Sequence, residues 1–339
     1  MKNKIIIVVA VVLIGAGFAA CAYRTVFSNN ILPQASAFIY IQTGSSFDDV
    51  MKILKTEQIL KDEHTFCWVA KQKNYIPHVK AGRYRIKQKM NNNELVNMLR
   101  SGRQEAVHFT FNNIRTKEQL VKRVADQLET DPNELLSLLN NNEKLKPHNV
   151  NTETALTLFI PNTYQMWWNT SADDFVKKMH KASQTFWTES RCEKAQKAGL
   201  SPTEVIILAS IVEEENHRTN EQPRIAGVYI NRLKKGMLLQ ADPTVKFALQ
   251  DFGKKRILKK DLETESPYNT YKHVGLPPGP VRIPSPTAID AVLDYEKHNY
   301  FYMCAKDDLS GYHNFAATLA QHHANAAKYH QALNRRKIK

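Results

Sequence analysis

The stretch from Ser201 to Asn216 constrains this chain most, because it has to be a buried helix that ends in charge. Ser201 is placed as an N-cap, Pro202 suits the first helical position, and Glu204 completes a capping box. Val205, Ile206, Ile207, Leu208, Ala209, Ile211 and Val212 follow, with Ser210 as the single polar break. A helix that is apolar nearly all round is enclosed by protein. It therefore delivers Glu213, Glu214 and Glu215 to the edge of a hydrophobic core. A carboxyl drawn into such a setting loses solvent, and its pKa rises toward the range useful for donating a proton at neutral pH. The competing reading is that the helix simply surfaces there with three solvated acids.

The N-terminus narrows the compartment. Met-Lys-Asn-Lys precedes an uncharged run from Ile5 to Tyr23. As a helix this run is about 28 Å long, close to the hydrocarbon thickness of a bilayer. Secretory apolar regions are shorter, so the run is expected to be an uncleaved single-pass anchor, residues 5–24. Lys2 and Lys4 (tail 1–4) put the N-terminus in the cytoplasm and the rest of the chain outside the cell (inner) membrane. Two alternatives concern the tether alone: a cleavage site at Ala20-Cys21-Ala22, or a loose lipobox ending at Cys21.

Four cysteines are too few for a disulfide framework, and their spacing offers no zinc motif. Buried free thiols are expected. Lysine and arginine outnumber aspartate and glutamate by 47 to 33. On an exported domain such a balance suits an anionic membrane surface or wall polymer better than nucleic acid, which is not expected as a partner. Roughly 315 extracytoplasmic residues suffice for two or three small domains.

Periodicity gives strands at 37–42, 81–86 and 107–111, and helices at 47–60, 65–72, 93–99, 116–128 and 133–139, the last capped by Asp131. The polar run 140–153 reads as a linker. Further on, 173–198 reads as one long helix and 224–233 as another, ended by Gly236. Residues 237–240 read as a strand, 277–286 as a proline-rich extended loop, 300–304 as a strand and 318–335 as the last helix. The basic tail from Arg335 reads as a solvated end. Strands and helices mix without regular βαβ alternation, so the fold class is α+β.

Several ordered motifs carry a resemblance. Ala209-Ser-Ile-Val-Glu213, Val228-Tyr-Ile-Asn-Arg-Leu233, Leu239-Gln-Ala-Asp-Pro-Thr244, Tyr268-Asn-Thr-Tyr271 and Gly275-Leu-Pro-Pro-Gly279 resemble the MltG (YceG-like) endolytic murein transglycosylases. Phe159-Ile-Pro-Asn-Thr-Tyr164 and His313-Asn-Phe315 resemble that family's entry and closing motifs. Residues 36–105 are similar to the LysM-like module that precedes the catalytic domain. The resemblance thus implies this module, a connecting strand–helix subdomain with linker at 106–150, and a YceG-like catalytic domain at 155–335. The chain departs from the pattern in four places: Asn162 stands where aspartate is usual, the residues before Phe159 lack the usual Glu-Gly, Glu214 stands where lysine is common, and Asn216 where a small or hydroxyl residue is common.

On a helical wheel Glu214 and Glu215 point roughly 100° and 200° away from Glu213, and the wheel alone does not choose among them. The resemblance implies Glu213 as the catalytic acid, with Glu215 as second choice. It also implies the reaction: cleavage of the bond between N-acetylmuramic acid and N-acetylglucosamine within a nascent glycan strand, leaving a 1,6-anhydro end and terminating elongation. Gln240, Asp242, Tyr268, Asn269 and Tyr271 are the expected substrate-positioning residues, since amides and phenols bond sugar hydroxyls and aromatic faces take sugar rings. For Asp242 an Asx cap before Pro243 competes with that role, and for Trp167-Trp168 a core pair competes with a sugar platform. His322, His323 and His330 lack a carboxylate at ligand spacing, so neither a metal nor a cofactor is expected. Ser210 has no base beside it in sequence and is not expected to be a nucleophile. The partners expected are peptidoglycan strands, the membrane and peptidoglycan synthases. The alternatives are a non-catalytic wall-binding or assembly factor, and a glycan hydrolase, which needs a second carboxylate.

Overall fold

The computed structural model describes residues 2–254 and 256–335; Met1, Lys255 and the basic tail beyond Arg335 lie outside the described residues. The chain divides into two compact units: Met1–Phe109 with Ala125–Thr130 and Tyr164–Ser171, and Thr110–Val124 with Asp131–Thr163 and Ala172–Lys339. The class is α+β, with a long apolar helix at the N-terminus.

In the first unit that helix is α1 (Lys2–Phe27). Its stretch Lys4–Phe27 contains an 18-residue window with a mean hydropathy of 2.9, none of it buried, so the helix is long and apolar enough to cross a membrane. Strands β1 (Phe38–Ile41) and β2 (Gly82–Arg85) pair antiparallel, Phe38 opposite Arg85 and Ile41 opposite Gly82. Between them run α2 (Phe47–Thr56), capped by the Ser46–Asp49 box, and α3 (Glu63–Gln72), capped by Asp62. Helix α4 (Asn92–Ser101) follows, and Gly102 ends it in the left-handed region at φ +71°. That backbone conformation is cheap for glycine alone. Val50, Leu54, Phe66, Val69, Leu95 and Leu99 close over Ile39, Ile41 and Tyr84 as one core. Strand β3 (Val107–Thr110) pairs with β4 (Thr163–Met166).

The second unit opens with α5 (Lys117–Ala125) and α6 (Pro132–Leu139), whose N-cap is Asp131 as its sequence requires. The segment expected as a linker is ordered instead: α7 (Asn142–Leu145) buries Leu145, an apolar residue in a mostly polar run. The expected helix 173–198 is two, α8 (Ala172–Phe186) and α9 (Glu189–Ala198). The break falls where the Thr188 hydroxyl accepts the Arg191 N–H and caps a new helix.

Helix α10 (Pro202–Glu215) lies at the centre, with every residue from Val205 to Val212 buried. Each such isoleucine or leucine contributes roughly 1.5–3 kcal/mol of transfer free energy. Around it pack α9, α11 (Gln222–Lys234), α12 (Asp242–Leu249) and α13 (Pro286–Leu293). Residues 237–240 form no strand; the chain enters α12 from an irregular segment in which Gln240 has φ +48°. Strands β5 (Tyr302–Ala305) and β6 (His313–Ala316) pair antiparallel, and α14 (Leu319–Arg335) packs on them. The cysteines are free; Cys21 is exposed on α1, and of the three beyond it, expected to be buried, Cys192 is exposed and Cys67 and Cys304 are half-buried.

Candidate active site

The capping box of α10 forms as its sequence requires, the Ser201 hydroxyl accepting the Glu204 N–H and the Glu204 carboxylate accepting the Ser201 N–H. Ser210 has a structural task. It donates to the Ile207 carbonyl at 2.6 Å and accepts the Val281 N–H at 3.0 Å, tying the proline-rich loop to the helix. The loop's own close approach is at Gly279, where a Cβ would come within 2.2 Å of the Glu153 carbonyl oxygen and 2.7 Å of the Tyr268 hydroxyl.

The three acids at the end of α10 meet two kinds of surroundings. Glu213 accepts the Ser285 N–H at 3.0 Å and faces the Arg282 guanidinium at 3.3 Å. Glu214 is held by Arg282 at 2.9 Å and by Arg115 at 2.7 Å. Arg282 is itself 7% exposed, so these pairs form a largely desolvated cluster. Both carboxylates thus meet Arg282 at the helix end, Glu213 being the acid for which the catalytic role is expected. Glu215 has no ion pair among the described residues. Its partner is the hydroxyl of the buried Tyr229, which donates at 3.2 Å. Burial pushes the Glu215 carboxyl above its ordinary range, and the nearby negative charge of Asp242 adds to the rise. Charge on His313 and Lys246 and the Tyr229 hydrogen bond oppose it without reversing it. Glu215, the second choice from sequence, is thus a carboxyl whose pKa is raised by its surroundings.

The chain immediately beyond Glu215 is fixed by Asn216. This buried amide donates to Glu221 Oε2 at 2.5 Å and to the Gly311 carbonyl at 3.2 Å, and accepts the Arg218 N–H at 2.9 Å. Glu221, also buried, takes the His313 N–H at 2.9 Å and bonds His313 Nδ1 at 2.7 Å. The departure at Asn216 is thereby explained, since an amide serves three partners where a hydroxyl would serve fewer.

The expected positioning residues separate into a presented set and a framework set. The Thr270 hydroxyl accepts the Ala241 N–H at 3.0 Å and meets the Thr244 hydroxyl at 2.9 Å, and the Gln240 N–H donates to the Thr270 carbonyl at 3.0 Å. These bonds stitch the loop 268–271 to the start of α12. Gln240 and Asp242 are exposed there, and the half-buried Tyr271 donates its hydroxyl to Asp242 at 2.6 Å. Asp242 makes no cap bond to α12, so the Asx-cap reading gives way to this tyrosine contact. Burial and the two carboxylates, Asp242 and then Glu215, raise the Tyr271 phenol far above its usual value. Asn269, expected at the substrate, is instead fully buried; its amide donates to the Leu262 and Thr264 carbonyls at 2.8 and 2.9 Å. Tyr268 likewise turns to Glu153 at 3.0 Å and packs on Phe247. In the first unit Trp168 meets Tyr40 edge-on at 5.1 Å, and Trp167 is exposed.

Tyr229, Arg282 and Glu221 join the site by contact rather than by any sequence expectation. Tyr229 lay within a quoted motif, and a buried tyrosine needing a partner was the signal that could have found it. Arg282 and Glu221 carry no local signal, because their partners are distant in sequence.

A carboxyl whose pKa is raised by burial, with a phenol donating to it and a carboxylate–phenol pair in its field, is suited to acid–base chemistry on a polar substrate. The chain is thus of the α+β class, with a candidate acid–base site at the end of its central helix. It belongs to the YceG-like family, whose sequence model matches residues 39–328. An endolytic murein transglycosylase of Bacillus subtilis (strain 168) is 32% identical over 87% of this chain and 85% of its own length. One from Streptococcus pneumoniae serotype 2 is 28% identical over 85% of this chain and 57% of that protein. A crystal structure of a YceG-like protein from Listeria monocytogenes superimposes with a TM-score of 0.56 at 29% identity, covering 85% of this chain and 97% of that one.

Proposed function

We propose that this chain is a membrane-anchored endolytic murein transglycosylase with Glu215 as its acid and base. The observation that carries the assignment is the contrast at the end of α10: Glu213 and Glu214 face guanidinium groups, whereas burial drives Glu215 toward its protonated form. The Glu215 carboxyl gives its proton to the glycosidic oxygen, and the bond from that oxygen to the muramyl C1 breaks. The substrate's own N-acetyl group supports the electron-poor C1, as substrate assistance does elsewhere. The muramyl C6 oxygen then bonds to C1, and its proton passes to the Glu215 carboxylate. One carboxyl suffices, because neither water nor an enzyme nucleophile enters. Tyr229 steadies the carboxylate between the two transfers. Gln240, Asp242 and Tyr271 hold sugar hydroxyls and amides.

Helix α1 serves as a single-pass anchor with Lys2 and Lys4 on the cytoplasmic side of the inner membrane. The β1–α2–α3–β2 arrangement of residues 36–105 is read as a LysM-like module that contacts glycan, with the catalytic domain at 155–335. Its strands are nascent peptidoglycan, and the synthases that make them are proposed partners.

The test is mass spectrometry of peptidoglycan incubated with the detergent-solubilised full chain, beside Glu215→Gln and Glu213→Gln. Internal fragments ending in 1,6-anhydromuramic acid are expected from the parent and from Glu213→Gln, and not from Glu215→Gln. Reducing ends would replace this reading with a hydrolase and bring Asp242 forward as the second carboxylate. Glycan binding without cleavage would leave a wall-binding factor. Loss of cleavage in a folded Glu213→Gln alone would return the acid to Glu213.

A further inference from the structure

Helix α1 enters the first unit without a flexible joint. The Thr25 carbonyl accepts from the Asn92 amide at 2.9 Å, and that residue's Oδ1 accepts from Asn30 at 2.7 Å. Asn30 also donates to the Asp62 carbonyl at 2.8 Å, at the N-cap of α3. Val26 packs on the unit's core, and Asn30 and Asn92 are both buried. A satisfied, buried network of this kind fixes geometry, so α3 is held against the last turns of α1.

That placement has a consequence for depth. Phe18, Cys21 and Ala22 of α1 line a cleft of about 340 Å³ together with His64 and Trp68 of α3. At 1.5 Å per residue these α1 positions lie only about 2–8 Å inside the Tyr23 end of the apolar run. If α1 spans the bilayer, as proposed above, one wall of the cleft stands at the level of the lipid carbonyls and head groups. Trp68 is 45% exposed beside it, and Phe18 is 74% exposed. Arg24 and Lys61 line an adjoining cleft that also takes in Cys21 and Thr25, which sets positive charge where phosphates lie.

We propose that α3 rests in the outer lipid–water interface, with the Trp68 ring among phospholipids that fill the cleft beside α1. The ring's apolar body and its single N–H suit that boundary, where tryptophan is enriched. The first unit is then seated on the bilayer by two elements, the spanning helix and an interfacial one.

The experiment uses the full chain in phosphatidylglycerol-containing vesicles whose phospholipids carry bromine on the upper acyl chain, a contact quencher of indole. Tryptophan emission is compared for the parent, Trp68→Phe and Trp167→Phe; both sites are exposed, so neither change disturbs a core. Of the four tryptophans, only that at position 68 should be quenched, so the bromine effect should vanish in Trp68→Phe and persist in Trp167→Phe. Equal quenching in the parent and Trp68→Phe, or none in the parent while the chain resists alkaline extraction from the vesicles, would overturn the seating. Release of the chain by alkaline extraction would overturn the spanning helix itself, and the seating with it.

Discussion

On one side of the α10 end, Glu213 and Glu214 sit in a cluster with Arg282 and Arg115. On the other, Glu215 has a tyrosine for a partner and a second carboxylate in its field. One turn of one helix thus carries two carboxylates paired with guanidinium groups and one paired with a phenol. Like residues in adjacent positions are sorted by what the rest of the fold brings to them: the Arg282 segment reaches one face, and α11 with the start of α12 the other. The lesson is that residue type marks where chemistry is available, while tertiary partners decide which copy performs it.

The sharpest way to break the comparison is Glu215→Gln. Loss of a positioned acid–base group lowers turnover by roughly 10²–10⁴-fold. The same change should stabilise the fold, which a brace would never do. Because the folded Glu215 binds its proton more tightly than the unfolded chain does, the parent loses stability as pH rises from the ordinary glutamate range through the raised folded value. The glutamine variant carries no such penalty. Thermal melts should therefore show its Tm above the parent's at neutral and alkaline pH, with the gap closing in acid. A Tm below the parent's at pH 8 would sink the assignment of Glu215 as a group kept protonated by burial.

Next in size is Arg282→Leu, which leaves Glu213 without its ion pair and Glu214 with Arg115 alone. Removing one partner of a buried ion pair costs about 3 kcal/mol. Urea unfolding should show that loss, with any fall in cleavage following the folded fraction. A folded variant at parental stability would mean that the cluster braces nothing.

How much of this could be read from the chain depended on the range of the forces involved. The α10 helix, its capping box and the Asp131 cap are local, and each stands where its sequence placed it. The break at Thr188 was local too, but a hydroxyl cap inside a helical pattern competes with propensity, and the cap won. The different surroundings of the three glutamates were not legible, because Arg282 and Tyr229 are remote in sequence and close in space. Asn269 failed for the opposite reason. An amide equipped to bond a sugar is equally equipped to bond the Leu262 and Thr264 carbonyls, and a tight loop supplied those first.

The finest test tunes Glu215 from two directions. The charge of Asp242 raises the Glu215 pKa, and the hydrogen bond from Tyr229 lowers it, Asp242 having the larger influence. A general acid is active while protonated, so turnover falls as pH rises through that pKa. Asp242→Asn should therefore move the alkaline limb of the pH–rate profile to lower pH, and Tyr229→Phe should move it a smaller distance to higher pH. Each substitution also removes a contact, since Tyr271 loses its acceptor in the first and Glu215 its donor in the second. Rates at a single pH would confuse the two effects, whereas the position of the limb does not depend on the height of the plateau. Limbs displaced in the same direction would mean that the limb reports some other group, and that Glu215 does not supply the proton.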